Sequence, residues 1–139
     1  MQVSEATLRT VLAGRARVDA GGCESRAKRL ANMGAKTLSF TEGAEIHTCT
    51  FNHSDDEALM RATAALQAVA ETMQAGTRLE RKHRFDRLGL DAEMNTLASA
   101  VKEGRAAELG NIAAVLRSIA SDGEVLERVR VQAAEWLAQ

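Results

Sequence analysis

Lys36-Thr-Leu-Ser-Phe40, Thr41-Glu-Gly43 and Ala44-Glu-Ile-His-Thr-Cys-Thr-Phe51 together make the one stretch of this chain with a β pattern. Branched and aromatic residues gather in the two outer runs, and three residues that include glycine separate them at hairpin length. Two antiparallel strands joined by a short bulged turn are predicted. Leu38 and Phe40 share one face of the first strand. The second strand offers Ala44, Ile46, Thr48 and Thr50 on one face and His47, Cys49 and Phe51 on the other, and alternation alone does not choose between them. A lone hairpin is marginal in water, so its apolar face should lie against helices or pair with another strand, for instance from a second subunit.

On both sides of the hairpin the apolar residues recur at helical spacing. Upstream, Ser4 can cap a helix over about 5 to 13 that carries Leu8, Val11 and Leu12 on one side, with Gly14 ending it. Residues 15 to 22 are irregular, and Gly21-Gly22 reads as a turn. A second helix is predicted over 23 to 33, with Ala27, Leu30 and Ala31 inward and Gly34 as its left-handed stop. Residues 1 to 22 form a candidate N-terminal helical arm.

Downstream, Ser54 to Glu57 has capping-box spacing, and Asp55 and Asp56 suit the positive end of a helix. Leu59, Ala62, Leu66, Val69 and Met73 then follow at intervals of three and four, a narrow seam of heptad form that is too short to establish a coiled coil. Gly76 either ends this helix or weakens it while it runs on into the next segment. Asp91 is expected to cap a helix with Met94, Leu97 and Val101. A further helix carries Leu109, Ile112, Leu116 and Ile119, with Gly110 inside it. Ser121-Asp-Gly-Glu124 repeats the capping-box spacing before a last helix built on Leu126, Val129, Ala133 and Trp136 or Leu137. The fold class that results is α+β, predominantly α: a helical bundle with one β-hairpin.

At 139 residues the chain fits a single domain with one core. That core has an unusual filling, with 26 alanines against three phenylalanines, one tryptophan and no tyrosine. Small side chains occupy little volume, so helices must approach closely to reach native density. Trp136 is then either the large plug of this core or an anchor in a subunit contact. Narrow seams and an otherwise unsupported hairpin point to a homodimer.

Formal net charge is only -1, yet residues 1 to 36 sum to +4, 37 to 77 to -5, 78 to 90 to +3 and 91 to 139 to -3. Such blocks can neutralise one another within a fold or between subunits. A near-zero total argues against a protein built mainly to coat a nucleic-acid backbone. Five of the eighteen basic residues fall in Arg78-Leu-Glu-Arg-Lys-His-Arg-Phe-Asp-Arg87. Arg78, Arg81, Lys82, Arg84 and Arg87 are therefore the candidate macromolecule-binding residues, with phosphates contacted through Arg81, Lys82 and Arg84 if nucleic acid is the ligand. Arg9, Arg15, Arg17, Arg26, Lys28, Arg29 and Lys36 join that face only if the fold brings them there. Glu80 and Asp86 oppose it, and the competing reading is a solvated connector whose cations pair with the acidic 37 to 77 segment.

Other chemistries have weaker support. His47, Cys49 and His53 with Asp55 or Asp56 have zinc-compatible donors but no finger or ribbon spacing, so no metal ligand and no cofactor is assigned. Cys49 beside His47 or His53 is the one nucleophile and base pair near in sequence, without a legible oxyanion site or orienting group. Cys23 and Cys49 are too few for a disulfide scaffold and are expected as reduced thiols. No window approaches a membrane span and no secretory leader is visible, which makes a cytoplasmic location the default. The leading functional expectation is a small non-enzymatic interaction protein, of adaptor, chaperone or inhibitor type, acting on a protein partner through its basic face or a helical groove. DNA or RNA binding comes second, and a cysteine/histidine enzyme third.

Overall fold

The computed structural model describes residues 2–19, 36–51 and 56–139. It is mostly helical with a small antiparallel hairpin, in the order α1 (Glu5–Asp19), β1 (Lys36–Glu42), β2 (Glu45–Phe51), α2 (Glu57–Phe85), α3 (Arg87–Lys102), a 3-10 turn (Leu109–Ile112), α4 (Ala113–Ala120) and α5 (Glu127–Leu137). The helix expected over 23 to 33, together with Cys23, Ser54, His53 and Asp55, lies outside the described residues. Two compact units emerge, Ser4–Leu66 and Met1–Val3 with Gln67–Gln139, and α2 contributes residues to both. No helix among the described residues is long and apolar enough to cross a membrane.

In the unit Ser4–Leu66, the Ser4 hydroxyl accepts the Thr7 backbone N–H at 3.2 Å and starts α1 as its sequence suggests. Gly14, however, does not stop the helix. It is buried in the helix interior, where an added Cβ would come within 3.0 Å of Ala62 Cβ, so it is there to let α1 approach α2. Leu8 and Leu12 do not turn inward as their spacing suggested; both remain about half exposed. The hairpin pairs Leu38 with Cys49 and Phe40 with His47, and its two-residue turn places Gly43 at φ 61, a left-handed conformation that suits glycine. Leu38, Cys49 and Leu59 form a buried cluster with Phe40, Val18, Met60 and Leu66 around it. The His47–Cys49 face is therefore the inner one, and Ile46 points outward with 67% of its surface exposed. Asp56 caps α2: its Oδ1 accepts the Leu59 N–H at 3.0 Å while Arg17 Nε donates to Oδ2 at 2.5 Å. The Leu59 amide, followed by Arg17, holds the Asp56 carboxyl below its ordinary pKa.

The second unit contains the larger core, in which Leu79, Leu90, Met94, Leu97, Ile112, Leu116, Ile119, Val129 and Trp136 are all buried. Its alanines and glycines allow the close approach that the composition demanded. Gly76 lies buried inside α2 without ending it, and an added Cβ would come within 3.0 Å of Ile112 Cγ2. Met73 leaves the predicted seam and is exposed, while Thr72, Ala75 and Leu79 go inward. Thr72 is satisfied by donating to the Ala68 carbonyl at 3.1 Å and accepting the Ala107 N–H at 3.0 Å. After Lys102 the chain turns through Gly104 at φ 76, and the predicted single helix over Leu109 to Ile119 is divided into the 3-10 turn and α4. Ser121 closes α4 by donating to the Arg117 carbonyl at 2.8 Å, so it does not open the last helix. Asp122 accepts the Glu124 N–H at 3.0 Å in the turn that follows, and α5 begins after Leu126 without a side-chain cap.

Candidate functional site

The basic decade spans the last two turns of α2, the single-residue junction at Asp86 and the start of α3. Asp86 caps α3 in place of the expected Asp91, with Oδ1 accepting the Gly89 N–H at 2.9 Å. Gly89 is required for that cap, since a Cβ at this position would collide with the Asp86 carboxylate. The helical reading of 78 to 85 therefore holds, and it distributes the cations around the surface instead of stacking them on one side.

Carboxylates meet nearly all of them. Arg78 donates through Nε to Glu93 and through a terminal nitrogen to Glu71 at 2.8 Å, and Lys82 reaches the other Glu93 oxygen at 3.3 Å. Glu93 is only 8% exposed, and burial by itself would raise its carboxyl pKa. The hydrogen bonds from Arg78 and Lys82, with their positive charge, outweigh burial and hold it below its ordinary value. The same contacts raise Arg78, through Glu93 first and Glu71 second. Arg84 pairs with Glu80 at 3.1 Å one turn back, and Arg87 with Glu124 at 3.0 Å and Asp122 at 3.5 Å. His83 Nε2 lies 2.8 Å from Asp122 Oδ2. The Glu124 amide, then His83, keep the Asp122 carboxyl low. Of the five predicted binding residues, Arg81 is the one exposed cation with no ion pair to a described carboxylate.

The partners were expected within residues 37 to 77, but only Glu71 comes from there. Glu93, Asp122 and Glu124 come from the acidic C-terminal block, which makes the decade a lateral brace on the second unit. Sequence reasoning overlooked what lies between the charges. Phe85 ends α2 with 82% of its surface exposed, and Leu88 in the first turn of α3 is 86% exposed. Beside Leu88 is a cleft of about 180 Å³ lined by Leu90, Val125, Leu126 and Val129, with Arg87 and Glu124 at its edge. Phe85 and Leu88 were visible as apolar residues within a charged run, but the charge density concealed them.

The remaining candidates do not assemble. Cys49 is buried and disulfide-bonded, so its sulfur is not the expected thiol and offers no thiolate for attack. His47 sits 3.4 Å from Glu45. Among the described residues no three histidine, cysteine or acidic side chains converge on a metal-sized site. Comparison with known protein families, with curated proteins and with solved structures returned no match to this chain.

Proposed function

We propose that this chain is a non-enzymatic interaction protein, of the adaptor, chaperone or inhibitor kind, that binds protein at the corner between α2 and α3. The observation that carries this reading is the exposure of Leu88, which lines an apolar cleft, with Phe85 exposed three residues before it in the chain. A chain with three phenylalanines that leaves one of them in water at a helix junction forgoes roughly 2 kcal/mol of burial, which a partner can recover. Aromatic and large aliphatic side chains surrounded by a polar rim are what protein interfaces use as anchors. The paired arginines supply that rim.

Nucleic-acid binding remains the second reading, and it rests chiefly on Arg81. Each of the other four cations would have to leave a carboxylate to meet a phosphate, whereas affinity for a nucleic-acid backbone grows with the number of phosphates neutralised. The disulfide at Cys49 also bears on location. Disulfides persist in oxidising compartments and are uncommon in the cytosol, which weighs against the cytoplasmic default.

Immobilised protein exposed to extract of its native host tests the proposal. Wild type and Arg81→Glu/Arg84→Glu should retain the same protein, and Phe85→Ser/Leu88→Ser should lose it. A low-salt mobility shift on generic DNA or RNA that disappears in the charge variant, with no corner-dependent protein retained, would reverse the order of the two readings. Lys82 is unsuitable for this test because it braces buried Glu93.

A further inference from the structure

We infer that the partner at the α2–α3 corner is a second copy of this chain, held by a two-fold contact; this rests on the reading of that corner as a protein-binding surface. A two-fold axis brings a patch against itself, so the patch must carry both halves of a complementary shape and both signs of charge. The corner has both. Leu88 is 86% exposed at the rim of a cleft that it lines together with Leu90, Val125, Leu126 and Val129, and the cleft is large enough for an aliphatic group. Leu88 of one copy can enter the cleft of the other while the reciprocal insertion occurs on the opposite side of the axis. Leu126, 53% exposed and also lining the cleft, would be covered by the same movement, and Phe85 lies three residues before Leu88 in the chain.

Charge favours this occupant over an acidic peptide. The edge of the cleft presents Arg87 and Glu124, which are already joined at 3.0 Å, and Arg87 is also held by Asp122. An acidic ligand would have to compete with two carboxylates for one guanidinium, and a uniformly basic patch would repel its own copy. A neutral edge with one cation and one anion does neither. Across a two-fold contact Arg87 of each copy can face Glu124 of the other, exchanging two exposed internal pairs for two pairs partly shielded from water and leaving neither charge unpartnered.

Sedimentation equilibrium of the full chain from low to high micromolar concentration reads the proposal directly. Wild type should approach twice the 14.9 kDa protomer mass. Leu88→Asp should weaken association by at least about tenfold, the scale of losing an interface anchor, while its thermal midpoint matches wild type at dilutions where both are protomers, because Leu88 is on the surface. Arg87→Glu and Glu124→Arg should each associate poorly alone and recover association when mixed. Only a contact between copies predicts that recovery, since within each variant the internal pair remains repulsive. A protomer mass for wild type at the highest concentration overturns the inference, and so does a dimer indifferent to Leu88→Asp. If the protomer nevertheless retains a host protein through Phe85 and Leu88, the corner is still a protein-binding surface with a different occupant; if it retains none, both readings fail.

Discussion

Replacing Gly76 by alanine should destabilise this protein, against the usual rule for a glycine in a helix. Propensity alone favours alanine by about 1 kcal/mol at an interior helical position. The geometry opposes it. A Cβ at Gly76 would come within 3.0 Å of Ile112 Cγ2 and to 3.2 Å of Ile112 Cβ. Ile112 is buried at 6% exposure and β-branched, so its methyl cannot turn aside without leaving a favoured rotamer. Overpacking of that kind costs about 1–3 kcal/mol, which exceeds the propensity gain and leaves a net loss of about 1 kcal/mol. Urea unfolding reads this as a lower midpoint at unchanged slope. Ile112→Ala removes the obstructing methyl at its own cost of about 2–5 kcal/mol, and in that background Gly76→Ala should become stabilising. The cycle should then show coupling of about 1 kcal/mol or more. If Gly76→Ala raises the midpoint in the wild-type background, α2 does not approach the Ile112 turn this closely, and the argument from small residues fails.

Two further perturbations probe the second unit. Trp136→Ala should cost about 3 kcal/mol because the indole is buried in the larger core; an unchanged denaturation midpoint would remove this residue from it. Glu93→Gln should flatten the acid limb of the stability curve. The folded carboxyl lies below its ordinary value of 4.5, so its contribution is fully present above that pH and is lost as pH falls through the lower folded value. A variant whose acid sensitivity matches wild type would show that Arg78 and Lys82 do not favour the ionised form of Glu93.

Helices and hairpin were legible because their signals are local. Ser4, the alternation over Lys36 to Phe51 and the stripe Ile112, Leu116, Ile119 all depend on neighbours within a few residues. Glycine was ambiguous for a physical reason, since the absence of a side chain serves equally to end a helix and to admit another helix. Gly14 and Gly76 do the second. The inner face of β2 could not be chosen from alternation, because Ile46 and Phe51 fall on opposite sides; Leu38 opposite Cys49 decides it through pairing. Aspartates cap α2 and α3 at Asp56 and Asp86, the latter five residues before the expected Asp91, as any short acceptor near a free amide can do.

At the candidate site, charge density identified the segment but not its partners. Arg78 meets Glu93 fifteen residues away and Arg87 meets Glu124 thirty-seven residues away, separations that no local rule connects. Once those carboxylates are in place, the arginines become part of a neutral rim and attention moves to Phe85 and Leu88. An apolar side chain in a charged run is a weak signal by itself. It becomes informative only when the fold leaves it exposed, with no core among the described residues covering it.

The central claim is that this apolar corner, and not the cationic stretch around it, is where the protein makes contact. Hydroxyl-radical footprinting at low and high protein concentration tests it residue by residue. Phe85, Leu88 and Leu126 should become protected as concentration rises, while Leu8, Leu12 and Ile46 react equally throughout. Unchanged labelling at the corner, or protection confined to the other exposed apolar residues, would contradict the account.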